Sequence, residues 1–134
     1  MSPKTNRRNG LKHEGRVRKW FNDAGYTCLN LASNAPGDLL LYGRDGRTRL
    51  LEVKRVTAAS PGGAVYYPSV NPKQRDALAR IPLTFYCVSF YGLRPNQAPV
   101  TRFCDAAKLP LAIRPDSGEG WEAFLRSLGD GVAV

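Results

Sequence analysis

The chain has 134 residues, 43% of them hydrophobic, enough for one domain that buries roughly two-thirds of its unfolded surface and too apolar for a disordered chain. Lys and Arg number 20 against 11 Asp and Glu, a net charge of +9, which points to a polyanionic partner such as nucleic acid. No apolar run approaches the roughly 18 residues of a membrane span. No apolar segment follows the basic N-terminus, and Cys28, Cys87 and Cys104 show no C-x-x-C spacing beside the single histidine. The expectation is therefore a cytoplasmic protein with reduced thiols and no membrane contact, zinc site or organic cofactor.

In chain order, residues 1 to 9 are polar and basic and read as a disordered tail ahead of a single domain over residues 10–134. From Leu11 to Ala24 the apolar residues Leu11, Val17, Trp20, Phe21 and Ala24 recur at helical spacing, and Gly25 ends the helix. Tyr26 to Leu31 reads as a strand. Asp38 to Tyr42 and Arg49 to Lys54 read as two more, joined around Asp45-Gly46, a strong hairpin signal. Residues 56–65 contain Ser60-Pro61-Gly62-Gly63 and read as a flexible loop. Asn71-Pro72 starts a helix that should reach about Arg80. Leu83 to Tyr91 is almost wholly apolar and reads as a central strand. Val100 to Phe103 is a further strand candidate, and Trp121 to Leu128 a short amphipathic helix. This order predicts an α/β fold: a central mixed sheet containing an antiparallel hairpin, flanked by helices.

The hairpin carries the chemistry. Asp38 stands at the start of one strand, and Glu52 and Lys54 stand two apart near the end of the other, so they share a face. The antiparallel pairing brings all three to one end. Two carboxylates side by side repel unless a cation lies between them. Oxygen ligands without imidazole or thiol suit magnesium or manganese, and a lysine alongside can orient a water or stabilise developing charge. That set of groups is suited to phosphodiester hydrolysis. Glu14, three and seven residues before Val17 and Phe21, lies on or beside the helix's buried stripe, where an acid needs a partner.

The sequence P-G-D-L-L-L followed by L-L-E-V-K resembles the PD-(D/E)XK nuclease superfamily, with a restriction-endonuclease-like core. Within it, the closest likeness is to the archaeal-type Holliday junction resolvases, over residues 10–92, leaving 93–134 as an extension. The resemblance implies that Asp38 and Glu52 ligate Mg2+ (or Mn2+), with the Val53 carbonyl as a further ligand and Lys54 acting on the attacking water. It implies that Glu14 is the helical glutamate near the metal, Gln74 a supporting glutamine and Ser33 the loop serine. The family often has a serine or threonine after the lysine; this chain has Arg55.

For DNA contact the basic candidates are Lys4, Arg7, Arg8, Lys12 and Arg16 before the hairpin, Arg44, Arg47 and Arg55 on it, and Lys73 and Arg75 after the loop. Tyr66 and Tyr67 are candidates for stacking on bases. The expected activity is structure-selective, metal-dependent cleavage of four-way junction DNA by a homodimer, since two symmetric nicks call for a two-fold protein. The helix Trp121–Leu128 and the strand Leu83–Tyr91 are the apolar surfaces offered for that dimer. Another nuclease of the same superfamily, of restriction or repair type, and a non-catalytic nucleic-acid-binding module are the alternatives.

Overall fold

The structure is a computed structural model that describes residues 3–32, 35, 37–57, 65–66, 72–93, 96–108 and 112–129, with backbone alone for 3–11 and 72. Ser33, Tyr67, Asn71 and most of the loop expected over 56–65 lie outside these residues. The elements are helix α1 (Pro3–Asp23), strands β1 (Thr27–Asn30), β2 (Leu39–Tyr42) and β3 (Thr48–Thr57), helix α2 (Pro72–Arg80), strands β4 (Thr84–Tyr91) and β5 (Val100–Asp105), a 3₁₀ turn at Ala106–Lys108, and helix α3 (Trp121–Ser127). They form the expected α/β fold. One five-stranded sheet runs β1-β2-β3-β4-β5; β3 and β4 are parallel and the other neighbours antiparallel.

Two expectations are corrected here. The first helix begins at Pro3 rather than near Leu11, so residues 3–9, expected to be disordered, are helical. Proline suits the first helical position, because its missing N–H has no helical partner to lose there. The proposed dimer surfaces are also already occupied. β4 lies between β3 and β5 with six of its eight residues buried, and Phe124 and Leu128 of the last helical segment are fully buried in the core.

The sheet divides two cores. Along β3 alternate residues face opposite sides. Leu51 and Val53 pack with Val17 and Phe21 of α1 and Phe124 and Leu128 at the C-terminal end, while Leu50 packs with Leu78 of α2, Tyr86 and Val88. A fully buried side chain of this kind contributes about 1.5–3 kcal/mol. Beyond residue 93, β5 and α3 therefore contribute Phe103, Phe124 and Leu128 to the first core. Phe103 of β5 stacks on Phe124 at a centroid separation of 3.9 Å.

Local devices fix the ends of the elements. The Asn22 side chain clips helix to strand, its Oδ1 accepting from the Cys28 N–H and its Nδ2 donating to the Cys28 carbonyl. Gly37 has φ +83, and a Cβ there would lie 2.7 Å from the Leu50 side chain. Glycine is thus required for the chain to cross Leu50 and deliver Asp38 to the sheet. Among the described residues no helix is long and apolar enough to cross a membrane.

Candidate functional site

The pairing of β2 with β3 ends at Leu39 opposite Leu51. Beyond it, β3 continues for six residues against β4 alone. Backbone groups alternate sides along a strand, so Val53 turns its N–H and carbonyl toward an edge that β2 does not reach. Asp38 fills part of this gap. Its N–H donates to the Leu51 carbonyl at 2.8 Å, and its Oδ2 accepts the Val53 N–H at 2.7 Å. The Val53 carbonyl lies on the same edge.

Glu52 and Lys54 project from the opposite face of β3 to Val53. The Glu52 side chain is only 4% exposed, and its Oε1 lies 3.1 Å from the Lys54 Nζ. Its Oε2 is buried and has no hydrogen-bond partner. Glu14 approaches from α1 and shares a hydrogen bond with the Asp38 carboxyl. The electrostatics follow from this crowding. Burial, then the Asp38 charge and the bond to it, push Glu14 up to about 7. Burial and next the Asp38 charge raise Glu52. Burial raises Asp38 as well, against the Val53 N–H and Lys54, which favour its ionised form. Three carboxyl groups thus compete for too little positive charge, with one lysine to relieve them.

The residues match what a hard divalent ion requires. The donors are carboxylate oxygens and a backbone carbonyl, the negative charge is in excess, and the orphaned Glu52 Oε2 is buried where a ligand would satisfy it. Among the described residues, no three acidic, imidazole or thiol side chains are already drawn into one cage. An ion would complete a convergence that Glu14, Asp38 and Glu52 begin.

Other predicted residues divide by position. Tyr66 is half-buried and packs on Tyr86 with ring centroids 6.3 Å apart; burial and then the Glu52 charge hold its hydroxyl up at about 12. It lies beside the acids, but its ring is engaged with Tyr86 in the second core. Arg75, in the first turn of α2, sends its charge to Tyr86, which pairs with Glu52 across the parallel strands. Lys73 and Gln74 are exposed in the same turn. Lys12 and Arg16 are exposed on α1. Lys4, Arg7 and Arg8 lie on the helix backbone ahead of them.

Arg44 and Arg47 do not join the site. The register places Tyr42 opposite Thr48, so the turn that carries both arginines is at the other end of the hairpin from Asp38. Arg44 lies over the Tyr26 ring at 4.5 Å.

Two residues outside the predicted set form a pair between α1 and β4: His13 and Tyr91. His13 is 1% exposed, and its Nδ1 is 2.9 Å from the Tyr91 hydroxyl. Its Nε2 is buried without a partner. Burial, then the charges of Arg55 and Arg16, hold the imidazole down at about 4, so it is neutral at physiological pH. The sequence did carry a signal for His13: it precedes Val17 and Phe21 by four and eight residues, on the same helical stripe. No protein-family model matches the chain, and no curated protein matches it significantly.

Proposed function

We propose that the chain is a metal-dependent endonuclease acting on DNA, with four-way junctions as its substrate. The observation that carries the reading is the meeting of Glu14, Asp38, Glu52 and Lys54 at the open edge of β3, with all three carboxyl groups held above their ordinary range. A structural ion pair would satisfy its members; this group instead leaves negative charge uncompensated.

Asp38, Glu52 and the Val53 carbonyl would hold Mg2+ or Mn2+, with Glu14 at its flank. When bound, such an ion supplies Lewis-acid polarisation of the phosphodiester. Lys54, 36% exposed and tethered by Glu52, reaches solvent from the buried carboxylate and is placed to orient the attacking water and offset the charge that builds on the phosphate. The junction specificity rests on the resemblance of the P-G-D and E-V-K segments. A two-fold junction calls for two copies of the chain, pairing through a surface other than β4 and the buried face of α3.

The test is cleavage of linear duplex, flap and four-way junction DNA side by side, in magnesium and in chelator. Junction cutting in magnesium alone, lost in Asp38→Asn, is expected. No cutting of any of the three would sink the nuclease reading; cutting of linear duplex alone would move the enzyme to the restriction type. Sedimentation with and without junction DNA should show a dimer, and a monomer in both would remove the resolvase assignment.

A further inference from the structure

We propose that Arg16 and Arg55, gathered on Tyr91, form a second phosphate-binding site that grips the DNA backbone beside the candidate active site. The DNA identity of the ligand rests on the proposed function; the geometry of the site does not.

Arg55 lies over the Tyr91 ring with its Cζ 4.6 Å from the centroid. Arg16 points an Nη1 donor at the hydroxyl of the same tyrosine, 3.5 Å away. Two guanidinium groups therefore share one aromatic side chain. Among the described residues neither has a carboxylate within ion-pair distance, whereas Lys19, Arg49, Lys54 and Arg75 each have one. Like charges gathered without an acid repel each other, and each guanidinium keeps most of its five donors unused. A phosphate, with several oxygens around one centre, satisfies both forks at once.

The platform is rigid. The buried His13 bonds the Tyr91 hydroxyl and packs edge-on between Tyr91 and Trp20, at centroid distances of 5.4 and 5.9 Å. Tyr91 is thus fixed before any ligand arrives, which lowers the ordering cost of binding. The site also has a definite place. Arg55 follows Lys54 directly but faces the α1 side, and Arg16 stands two residues beyond Glu14. The bound phosphate is therefore a different group from the one attacked. Arg55, where the resembled family often has serine or threonine, thereby acquires a role in positioning the strand.

The probe is a fluorescently labelled blunt DNA duplex, titrated by anisotropy across a salt series in chelator. The proteins are wild type, Arg16→Gln, Arg55→Gln, the double variant, and Arg126→Gln, an exposed side chain of α3, as a charge-matched control. Losing one phosphate contact should shrink the slope of log affinity against log salt by about 0.9, a roughly 3.5-fold weaker response between about 50 and 200 mM. The double variant should show that change and Arg126→Gln should not. Because both arginines hold one phosphate, the affinity losses of the single variants should sum to more than the loss in the double. An unchanged slope in the double variant, an equal change in Arg126→Gln, or losses that simply add would each overturn the site. Both side chains are exposed, so melting temperatures should stay at the wild-type value; if the double variant melts early, Arg55→Gln alone carries the slope test. Cutting in magnesium is read separately. Its absence with the slope effect intact would fail the nuclease reading and leave the phosphate site standing.

Discussion

The two ends of the β2–β3 hairpin hold the same residue types and treat them in opposite ways. At the turn end, the Arg49 guanidinium is buried and makes two bonds to Asp45, at 2.6 and 2.7 Å, with a third to the Ser127 carbonyl at 3.1 Å. The Asp45 N–H donates to the Leu128 carbonyl. Asp45 is held well below the usual carboxylate range, first by its bonds to Arg49. At the open end, Glu14, Asp38 and Glu52 are all held above that range, first by burial. Satisfied charge at one end fastens the C-terminal helix to the sheet; unsatisfied charge at the other is free to take a ligand. The contrast separates an acid paired within the fold from acids left without compensating charge, and makes no appeal to residue type.

The largest effect should come from the open end. Lys54→Ala should lower the cleavage rate on the order of 10²–10⁴-fold, the usual contribution of a positioned proton-transfer group, and Glu52→Gln should remove cleavage. Glu52→Gln should not lower the melting temperature in chelator, whereas Lys54→Ala, which removes the cation that relieves the buried carboxyl groups, should lower it. Near-wild-type turnover in either variant would break the comparison, because the open end would then be structural too.

Next comes the turn end. Arg49→Leu should lower the melting temperature by a few degrees, since it removes the bonds that tie Asp45 and the Ser127 carbonyl together across the turn, while leaving the metal dependence of cleavage as it was. Thermal denaturation beside a chelator-controlled cleavage assay reads both. A variant that melts normally would mean that the ion pair does not fasten α3.

The smallest effect is on pH. A carboxyl raised from 4.5 to about 7 in the folded protein contributes stability that is fully present below about 4.5 and is lost as pH rises through about 7. His13 runs the other way: held down from 6.5 to about 4, it costs stability as pH falls through that interval. The difference between Glu14→Gln and wild type isolates the glutamate. In chelator, the variant should gain a few degrees of melting temperature relative to wild type between about pH 4 and about pH 8, which bracket the shift. Magnesium at the upper pH should stabilise wild type more than Glu52→Gln. A melting difference independent of pH would show that Glu14 is not crowded by Asp38 and Glu52.

Much of this was legible in the chain. Helical spacing marked Val17, Trp20 and Phe21; Asp45-Gly46 marked the hairpin; Pro72 marked the start of α2; the apolar run ending at Tyr91 marked the central strand. These are short-range signals, carried by period and turn chemistry. Asp38, Glu52 and Lys54 could be gathered because a tight hairpin has few registers. His13 and Tyr91 could not, since 78 residues separate the partners of their hydrogen bond and nothing local relates them. Arg44 and Arg47 were assigned to the site from their place on the hairpin, but the register puts them at its far end.

The sequence by itself determined the element types, the α/β class and the acid, acid and lysine set, because each follows from spacing within one or two neighbouring elements. The tertiary structure alone decided three matters. Stopping β2 at Leu39 left the Val53 backbone for Asp38 to meet. Packing α1 on one face of the sheet brought Glu14 to that edge and Arg16 to Tyr91. Folding β5 and α3 against the sheet put Phe103, Phe124 and Leu128 in the core with Val17 and Phe21 of α1. All three depend on contacts between residues far apart in the chain, which are set by how layers pack and not by any local pattern.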